Sequence, residues 1–250
     1  MTAIERAKKL LCGRATLAVV NGKRERVYYE RGVQPLTDMN ESDRALLDGA
    51  SAADRVIGRA AALLMIAGGV KEAFGEVMSE GAIAAFEEHG VRYFYGTRTK
   101  YIINRAGTGP CPMEQTTACI TDPAKAEEAI RRTQHLLKLR AQGGKVKKLG
   151  FGMMRLPILG DDQANIDLVQ INKMVDTYLA RGFEYFDTAW MYHNHTSEIA
   201  VRECLVKRYP RECYKLATKL PVFSLTCAEN MQKIFDKQCE KCGVEYFDNY

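Results

Sequence analysis

The segment FDTAWMYHNHTSE, residues 186–198, brings an aspartate, a tyrosine and two histidines within ten positions of each other. A lysine, Lys219, follows in the later segment CYKLATKLP. A cation beside a phenol favours the phenolate anion, and an aspartate holds such a lysine charged and oriented. A tyrosine in this setting can give its proton to a carbonyl oxygen as hydride arrives at the carbon. Asp187, Tyr192 and Lys219 therefore form a candidate catalytic set for carbonyl reduction.

The segments around these residues alternate regularly between strand and helix patterns. Four strand patterns, KKLGFGMMRL, FEYFDTA, CYKLATKLP and VEYFDNY, are separated by the helix patterns QINKMVDTYLARG, SEIAVRECLVKRY and CAENMQKIFDKQCEKCG. This order indicates β-α-β units and a parallel sheet. Side chains at the carboxyl ends of parallel strands face the opening where ligands bind. We therefore expect Asp187, Lys219 and the loop residue Tyr192 to converge at that opening.

The segments KLGFGMMRLP, FDTAWMYHNHTSE, ATKLP and YFDNY resemble the amino-terminal half of an aldo-keto reductase, over about residues 147–250. The resemblance implies a (β/α)8 TIM barrel, of which about four strands fall in this chain, and NADPH-dependent reduction of a small carbonyl substrate. It gives Asp187, Tyr192 and Lys219 the places of three members of the family's Asp-Tyr-Lys-His set, with Tyr192 as the proton donor. It places Gly152, Met153 and Asp187 at the cofactor.

The reductase-like segment is expected to be truncated, because the family's histidine and last four strands would follow Tyr250. A barrel closes only when its last strand pairs with its first, and half a barrel leaves two open edges. We therefore expect carbonyl reduction to be impaired in this chain. The open edges are also a candidate surface for a homo-oligomer.

Histidines and cysteines near these segments are weak candidates for a metal site. His193 and His195 have no carboxylate or cysteine at ligand spacing, which favours two exposed loop histidines. Cys239 and Cys242 form a lone C-x-x-C at the end of a helix pattern, and a structural zinc site needs a second pair of ligands. The sequence therefore predicts no metal in this part of the chain.

The upstream part of the chain has a different organisation. ATLAVVNGKRERVYYERG predicts a hairpin with an Asn-Gly turn at Asn21, and SAADRVIGRAAALLMIAGG predicts a helix with Ser51 as its N-cap. SEGAIAAFEEHG predicts a helix from Ser79 to Gly90, VRYFYG predicts a strand, and DPAKAEEAIRRTQHLLKLR predicts a helix capped by Asp122.

The segment NRAGTGPCPMEQ is similar to the P-C-x-x-C element of zinc-dependent deaminases, with Cys111 at the first cysteine. Glu114 stands where the second cysteine would be, and Ser51 and Asp54 stand where the earlier ligand motif would be. Zinc activates water only when about three protein ligands hold it, so zinc deamination is not expected. From about Leu11 to Leu137, the chain resembles an uncharacterised bacterial domain family with a zinc-free, cytidine-deaminase-like fold.

The same segment admits two interpretations. Glycines that let the backbone approach a ligand, beside a cysteine at a helix start, favour a ligand-binding loop. A turn that needs glycine's conformational freedom, beside a buried cysteine, is the structural alternative. The candidate loop residues are Asn104, Arg105, Thr108, Cys111 and Glu114.

Composition restricts the protein's class. With 46% hydrophobic and 27% charged residues, the 250-residue chain is expected to be globular. Up to Lys148 there are 24 Lys and Arg against 17 Asp and Glu, mixed throughout, which does not indicate a nucleic-acid surface. The longest apolar stretch is too short to span a membrane, and the start is a poor signal peptide. We expect a cytoplasmic protein with reduced thiols.

Together these observations predict an α/β protein of two domains. Residues 1–140 would form the deaminase-like three-layer α/β/α domain, residues 141–148 a basic, glycine-containing linker, and residues 149–250 the incomplete barrel. The first functional hypothesis is an oxidoreductase segment fused to a non-catalytic domain. The alternative is a non-enzymatic small-molecule binding or regulatory module with a relic reductase segment.

Overall fold

The computed structural model describes residues 1–104, 107, 109–141, 147–224 and 230–250. The chain divides into two compact units, Met1–Arg131 and Arg132–Tyr250. Among the described residues, no helix combines the length and the apolar character needed to cross a bilayer.

The first unit contains a five-stranded mixed sheet in the order β2-β1-β3-β4-β5. β1 is antiparallel to β2 and β3, whereas β3, β4 and β5 are mutually parallel. The strands are β1 Leu17–Asn21, β2 Arg24–Tyr28, β3 Ser51–Ile57, β4 Glu72–Ser79 and β5 Arg92–Thr99. The predicted hairpin is confirmed, because Asn21 pairs with Arg24 across a turn in which Gly22 has a φ of 59°.

Helices cover both faces of this sheet. Successive strand residues alternate between two apolar clusters, as Ala52 and Ala53 of β3 do, because neighbouring side chains on a strand point to opposite faces. Helix α1 packs on one face, and α2, α4 and α5 pack on the other. The helices are α1 Ala3–Leu10, α2 Gln34–Ser42, α3 Arg44–Leu47, α4 Arg59–Gly68, α5 Glu80–Glu88, α6 Pro112–Thr117 and α7 Pro123–Ala141.

The prediction of one helix starting at Ser51 was wrong. Residues 51–57 form the central strand β3, and the helix begins only at Arg59. The Ser51 hydroxyl donates to Glu72 on the neighbouring strand, 3.0 Å away, instead of capping a helix. Small alanines suit a strand that is buried on both faces between helices, so tertiary packing overrides their helical propensity here.

Two other predicted helix starts are confirmed. Ser79 caps α5, since its hydroxyl accepts from the backbone N–H of Ala82. Asp122 precedes α7, and its carboxylate accepts from the N–H of Ala124 at 2.9 Å. Both caps satisfy donors that the first turn of a helix leaves unpaired.

The second unit contains three short parallel strands in the order β6-β7-β8. The strands are β6 Gly150–Gly152, β7 Tyr185–Asp187 and β8 Lys215–Ala217. The main helices are α8 Leu168–Ala180, α9 Ser197–Val201, which continues as a π-helical turn over Arg202–Val206, and α10 Asn230–Cys242. A parallel bridge between Ala217 and Asn249 places the predicted last strand segment beside β8.

The core of the second unit contains a cluster of aromatic rings. Phe186 of β7 is fully buried. The centre of its ring lies 5.1 Å from the ring centre of Tyr178 in α8 and 5.4 Å from that of Phe151 in β6. The Tyr178 hydroxyl donates to the carbonyl of Tyr185 at 2.9 Å, which fixes α8 against the sheet. Burial raises the pKa of Tyr178, so its hydroxyl stays a donor.

The boundary between the two units falls between Arg131 and Arg132, inside α7. The predicted linker, residues 141–148, lies further along the chain, and residues 142–146 lie outside the described part. The predicted limits of the two domains stay a prediction.

Candidate active site

Asp187 and Lys219 meet at the carboxyl ends of two neighbouring strands. Asp187 is the last residue of β7, and Lys219 lies two residues beyond the end of β8. Lys219 Nζ donates to Asp187 Oδ2 at 2.7 Å and to the carbonyl of Thr188 at 2.9 Å. The side chains of Lys219 and Asp187 are 49% and 32% exposed, so this ion pair faces solvent and is open to a ligand.

Tyr192 completes the cluster from the loop that follows β7. Lys219 Nζ lies 5.1 Å from the centroid of the Tyr192 ring. Partial burial disfavours the Lys219 ammonium, but its interactions with Asp187 and Tyr192 outweigh that effect and raise the pKa of Lys219. The structure thus brings the three candidates together around a charged lysine; their catalytic roles stay a prediction.

The loop after Tyr192 is held in a costly backbone conformation. His193, Asn194 and His195 have φ values of 53°, 48° and 70°, which place three consecutive non-glycine residues in the left-handed region. Tertiary contacts must therefore stabilise this loop, and His193 supplies two of them.

His193 is buried, so its interpretation as an exposed loop histidine was wrong. Its Nε2 accepts from the backbone N–H of Leu156 at 2.8 Å, and its Nδ1 donates to the carbonyl of Gln163 at 2.9 Å. Because the two partners are a pure donor and a pure acceptor, they assign the neutral Nδ1–H tautomer. His195, in contrast, is exposed, and its Nδ1 lies 2.9 Å from the carbonyl of Trp190.

Gly152 and Met153, the other two predicted cofactor residues, differ in accessibility. A Cβ added at Gly152 would meet open space, at the carboxyl end of β6. The Met153 side chain is fully buried in the core, so it offers no surface to a ligand. Its backbone instead joins two neighbouring segments: the N–H donates to the carbonyl of Asp187 at 2.9 Å, and the carbonyl accepts from Ser197 Oγ at 3.0 Å.

The sequence analysis missed a buried polar layer behind the cluster. Ser197 Oγ lies 2.9 Å from Thr188 Oγ1, and Glu198 Oε1 accepts from Thr218 Oγ1 at 3.0 Å. All four side chains are buried. The available signal was the pair of polar residues, Ser197 and Glu198, at the start of a helix pattern that is otherwise apolar on its inner face.

In the first unit, the Glu114 side chain caps the start of helix α4. Its Oε1 accepts from the backbone N–H of Arg59, the first residue of α4, at 3.1 Å. A Cβ added at Gly58 would lie 2.5 Å from the same oxygen, so only glycine leaves room for the carboxylate at this position.

Cys111 is half-buried at the start of the short helix α6. The Asn104 N–H donates to the carbonyl of Gly109, which closes a turn.

The ligand-binding interpretation of this loop stays a prediction, because Arg105 and Thr108 lie outside the described residues. What the described part shows is a structural role for Glu114 and a turn at Asn104.

No group of three potential metal ligands occurs among the described residues. At the C-x-x-C, burial raises the pKa of both Cys239 and Cys242. A raised pKa disfavours the thiolate that metal binding and disulfide exchange require.

Comparison with known proteins matches two different families to the two parts of the chain. A family model described as "Domain of unknown function (DUF1893)" matches residues 6–134, and one described as "Aldo/keto reductase family" matches residues 148–250. The two resemblances read from the sequence are therefore confirmed.

Two individual proteins are similar to parts of the chain. The chain is 31% identical over 123 residues to "Probable aldo-keto reductase 1" of Glycine max. The matched region covers 46% of this chain and 34% of that protein. The chain thus spans about a third of the length of this curated relative. The crystal structure of a DUF1893 family protein from Thermotoga maritima is similar with a TM-score of 0.48 and 20% identity, over 52% of this chain and 88% of that chain.

Proposed function

The chain belongs to the DUF1893 family and carries an aldo/keto reductase segment, and we propose that this segment retains the proton-donating corner, Asp187, Tyr192 and Lys219, of an NADPH-dependent carbonyl reductase. The single observation that carries this proposal is the position of Lys219 Nζ, 2.7 Å from Asp187 Oδ2 and 5.1 Å from the centre of the Tyr192 ring. The proposed substrate is a small aldehyde or ketone.

Tyr192 would donate its hydroxyl proton to the carbonyl oxygen of the substrate. The charged Lys219 stabilises the phenolate that remains, and Asp187 compensates the lysine's charge and orients it. The raised pKa of Lys219 keeps it cationic under the conditions in which Tyr192 must release its proton. Each residue thus has a role that its observed contacts allow.

The donor set fits the reactive end of a reduced nicotinamide cofactor. When bound, NADPH would supply the hydride that carbonyl reduction needs in addition to a proton. Open space beside Gly152 and the half-exposed Asp187 and Lys219 are the features that would receive this end. Met153 would contribute through its backbone alone, since its side chain is buried.

We also propose finer folds for the two units. Strands β6 to β8 and the bridge at Asn249 would be the first part of a (β/α)8 barrel, and the first unit would have the cytidine-deaminase-like three-layer arrangement. The parallel order of β6-β7-β8 and the helices on both faces of the five-stranded sheet support these assignments. The expected impairment of carbonyl reduction stays a prediction.

A cytoplasmic location, a homo-oligomer formed through the open sheet edges and the lack of nucleic-acid partners stay predictions.

The test is NADPH oxidation by the 250-residue chain with a generic aldehyde, together with NADPH binding followed by fluorescence. Tyr192→Phe should lower the aldehyde-dependent rate by about 10²-fold or more, the contribution of a positioned general acid, and leave binding intact. Tyr246→Phe, a half-exposed tyrosine of the same unit, is the matched control and should keep the rate. Failure of the chain to bind NADPH, or an undiminished rate in Tyr192→Phe, would refute the proposal.

A further inference from the structure

A buried polar network lies directly behind Lys219. Glu198, the second residue of α9, and Gln238 of α10 are both fully buried. Glu198 Oε1 accepts from Gln238 Nε2 at 2.6 Å and from Thr218 Oγ1 at 3.0 Å. Thr218 precedes Lys219 in the chain, so the network touches the backbone that carries the lysine.

Gln238 also contacts Lys219 itself. Its Nε2 lies 3.2 Å from the carbonyl of Lys219 and 3.0 Å from Thr218 Oγ1, while its Oε1 accepts from the hydroxyl of Tyr250 at 2.8 Å. Both ends of the Gln238 amide are therefore engaged, which fixes its orientation. A side chain fixed in this way can hold the peptide of Lys219 in one position.

The charge of Glu198 is compensated inside the network. Lys241 Nζ lies 2.9 Å from Glu198 Oε2, and the same ammonium lies 4.5 Å from the centre of the Trp190 ring. A buried carboxylate without such a partner would be strongly unfavourable. This salt bridge offsets part of the cost of burying the carboxylate, and hydrogen bonds to a carboxylate are stronger than those to a neutral acceptor.

We propose that Glu198 and Gln238 are positioning residues for Lys219. By fixing Thr218 and the Lys219 peptide, they keep the lysine's ammonium between Asp187 and Tyr192. None of the network's side chains needs to touch the substrate, so its effect passes through the lysine. This inference deepens the proposed function and rests on it for the role of Lys219 in catalysis, whereas the positioning itself can be measured without turnover.

The experiment is competitive acetylation of lysines in the 250-residue chain, without NADPH or aldehyde. Mass spectrometry gives the labelling of Lys219 relative to the exposed Lys9 in the same molecule. An ammonium held by Asp187 and Tyr192 has little reactive free amine, so Lys219 should be protected in the wild type. Gln238→Met should raise the Lys219 to Lys9 labelling ratio, because the lysine is released from its two partners.

The matched control is Gln232→Met, the same substitution at an exposed position of α10, where the Gln232 amide donates a hydrogen bond to Asp236 of its own helix. It should leave the ratio unchanged. Thr218→Val, which removes one hydroxyl at constant shape, should raise the ratio by less than Gln238→Met and decides the question if Gln238→Met does not fold.

An unchanged ratio in the folded variants would overturn the proposal, even if their stability falls, because a merely structural network would lower stability and leave Lys219 protected. A chain that fails to oxidise NADPH would refute the proposed function and leave this result standing.

Discussion

Arg208 Nη2 lies 2.8 Å from each carboxylate oxygen of Asp176, which ties α8 to the segment that follows α9. Arg132 and the hydroxyl of Tyr209 donate to the same carboxylate. The side chains of Asp176 and Arg208 are 30% and 22% exposed, so the pair is only partly screened by water. One carboxylate thus organises three donors on one flank of the second unit.

Asp176→Asn should destabilise the second unit by about 1–3 kcal/mol, because it removes the charge that these donors share. Trp190 is the protein's single tryptophan and lies in this unit, so its fluorescence during urea unfolding reports the change. Glu203→Gln, which removes the exposed pair with Lys207, is the control and should cost no more than about 0.5 kcal/mol. Equal effects of the two substitutions would contradict the prediction.

The sequence predicted the convergence of Asp187, Tyr192 and Lys219, because their positions at strand ends depend only on the alternation of strands and helices. It missed what depends on tertiary packing. The run of alanines after Ser51 has helical propensity, yet its position between two helical layers makes it a strand. The burial of His193 also has no local signal, since its hydrogen-bond partners Leu156 and Gln163 lie 37 and 30 residues away in the chain.

Glu114 should matter for the stability of α4 rather than for ligand binding alone. Glu114→Ala removes the acceptor for the N–H of Arg59 and should cost about 1 kcal/mol, as loss of a helix cap does. Hydrogen exchange of the first-turn amides of α4 measures the effect. Glu114→Gln keeps a carbonyl acceptor and should retain most of the protection, and Glu128→Ala at an exposed position of α7 should change nothing. Unaltered exchange in Glu114→Ala would show that the cap is not formed in solution.

Asp54 should make the first unit less stable as the pH rises. Partial burial raises the pKa of its carboxyl from 3.8 to about 7. Hydrogen bonds from the backbone N–H groups of Val56 and Arg55 oppose this increase, and the charge of Glu76 adds to it. The native state then holds a proton that the unfolded chain releases, so the free energy of unfolding falls as the pH rises from 3.8 to about 7.

Asp54→Asn should remove that decline and become more stable than the wild type above about pH 7, with the difference vanishing below 3.8. Urea unfolding followed by circular dichroism across this range is the measurement. Asp38→Asn, at an exposed position of α2, is the control. Parallel pH profiles for Asp54→Asn and the wild type would contradict the assigned pKa.

Lys219 should stabilise the second unit at neutral pH, and this stabilisation should be lost at alkaline pH. Its pKa is raised above the ordinary 10.5, because its interactions with Asp187 and Tyr192 outweigh its partial burial. A group whose pKa is raised by folding contributes stability that is fully present below its ordinary pKa and is lost as the pH rises through the folded value. Lys219→Met should therefore be less stable than the wild type below pH 10.5, and the gap should close above it. Trp190 fluorescence in urea follows both proteins, and Lys173→Met at an exposed position of α8 should show no such closing gap. A constant difference across the alkaline range would mean that the ion pair with Asp187 does not form in solution, and the proton-donating corner would lose its cation.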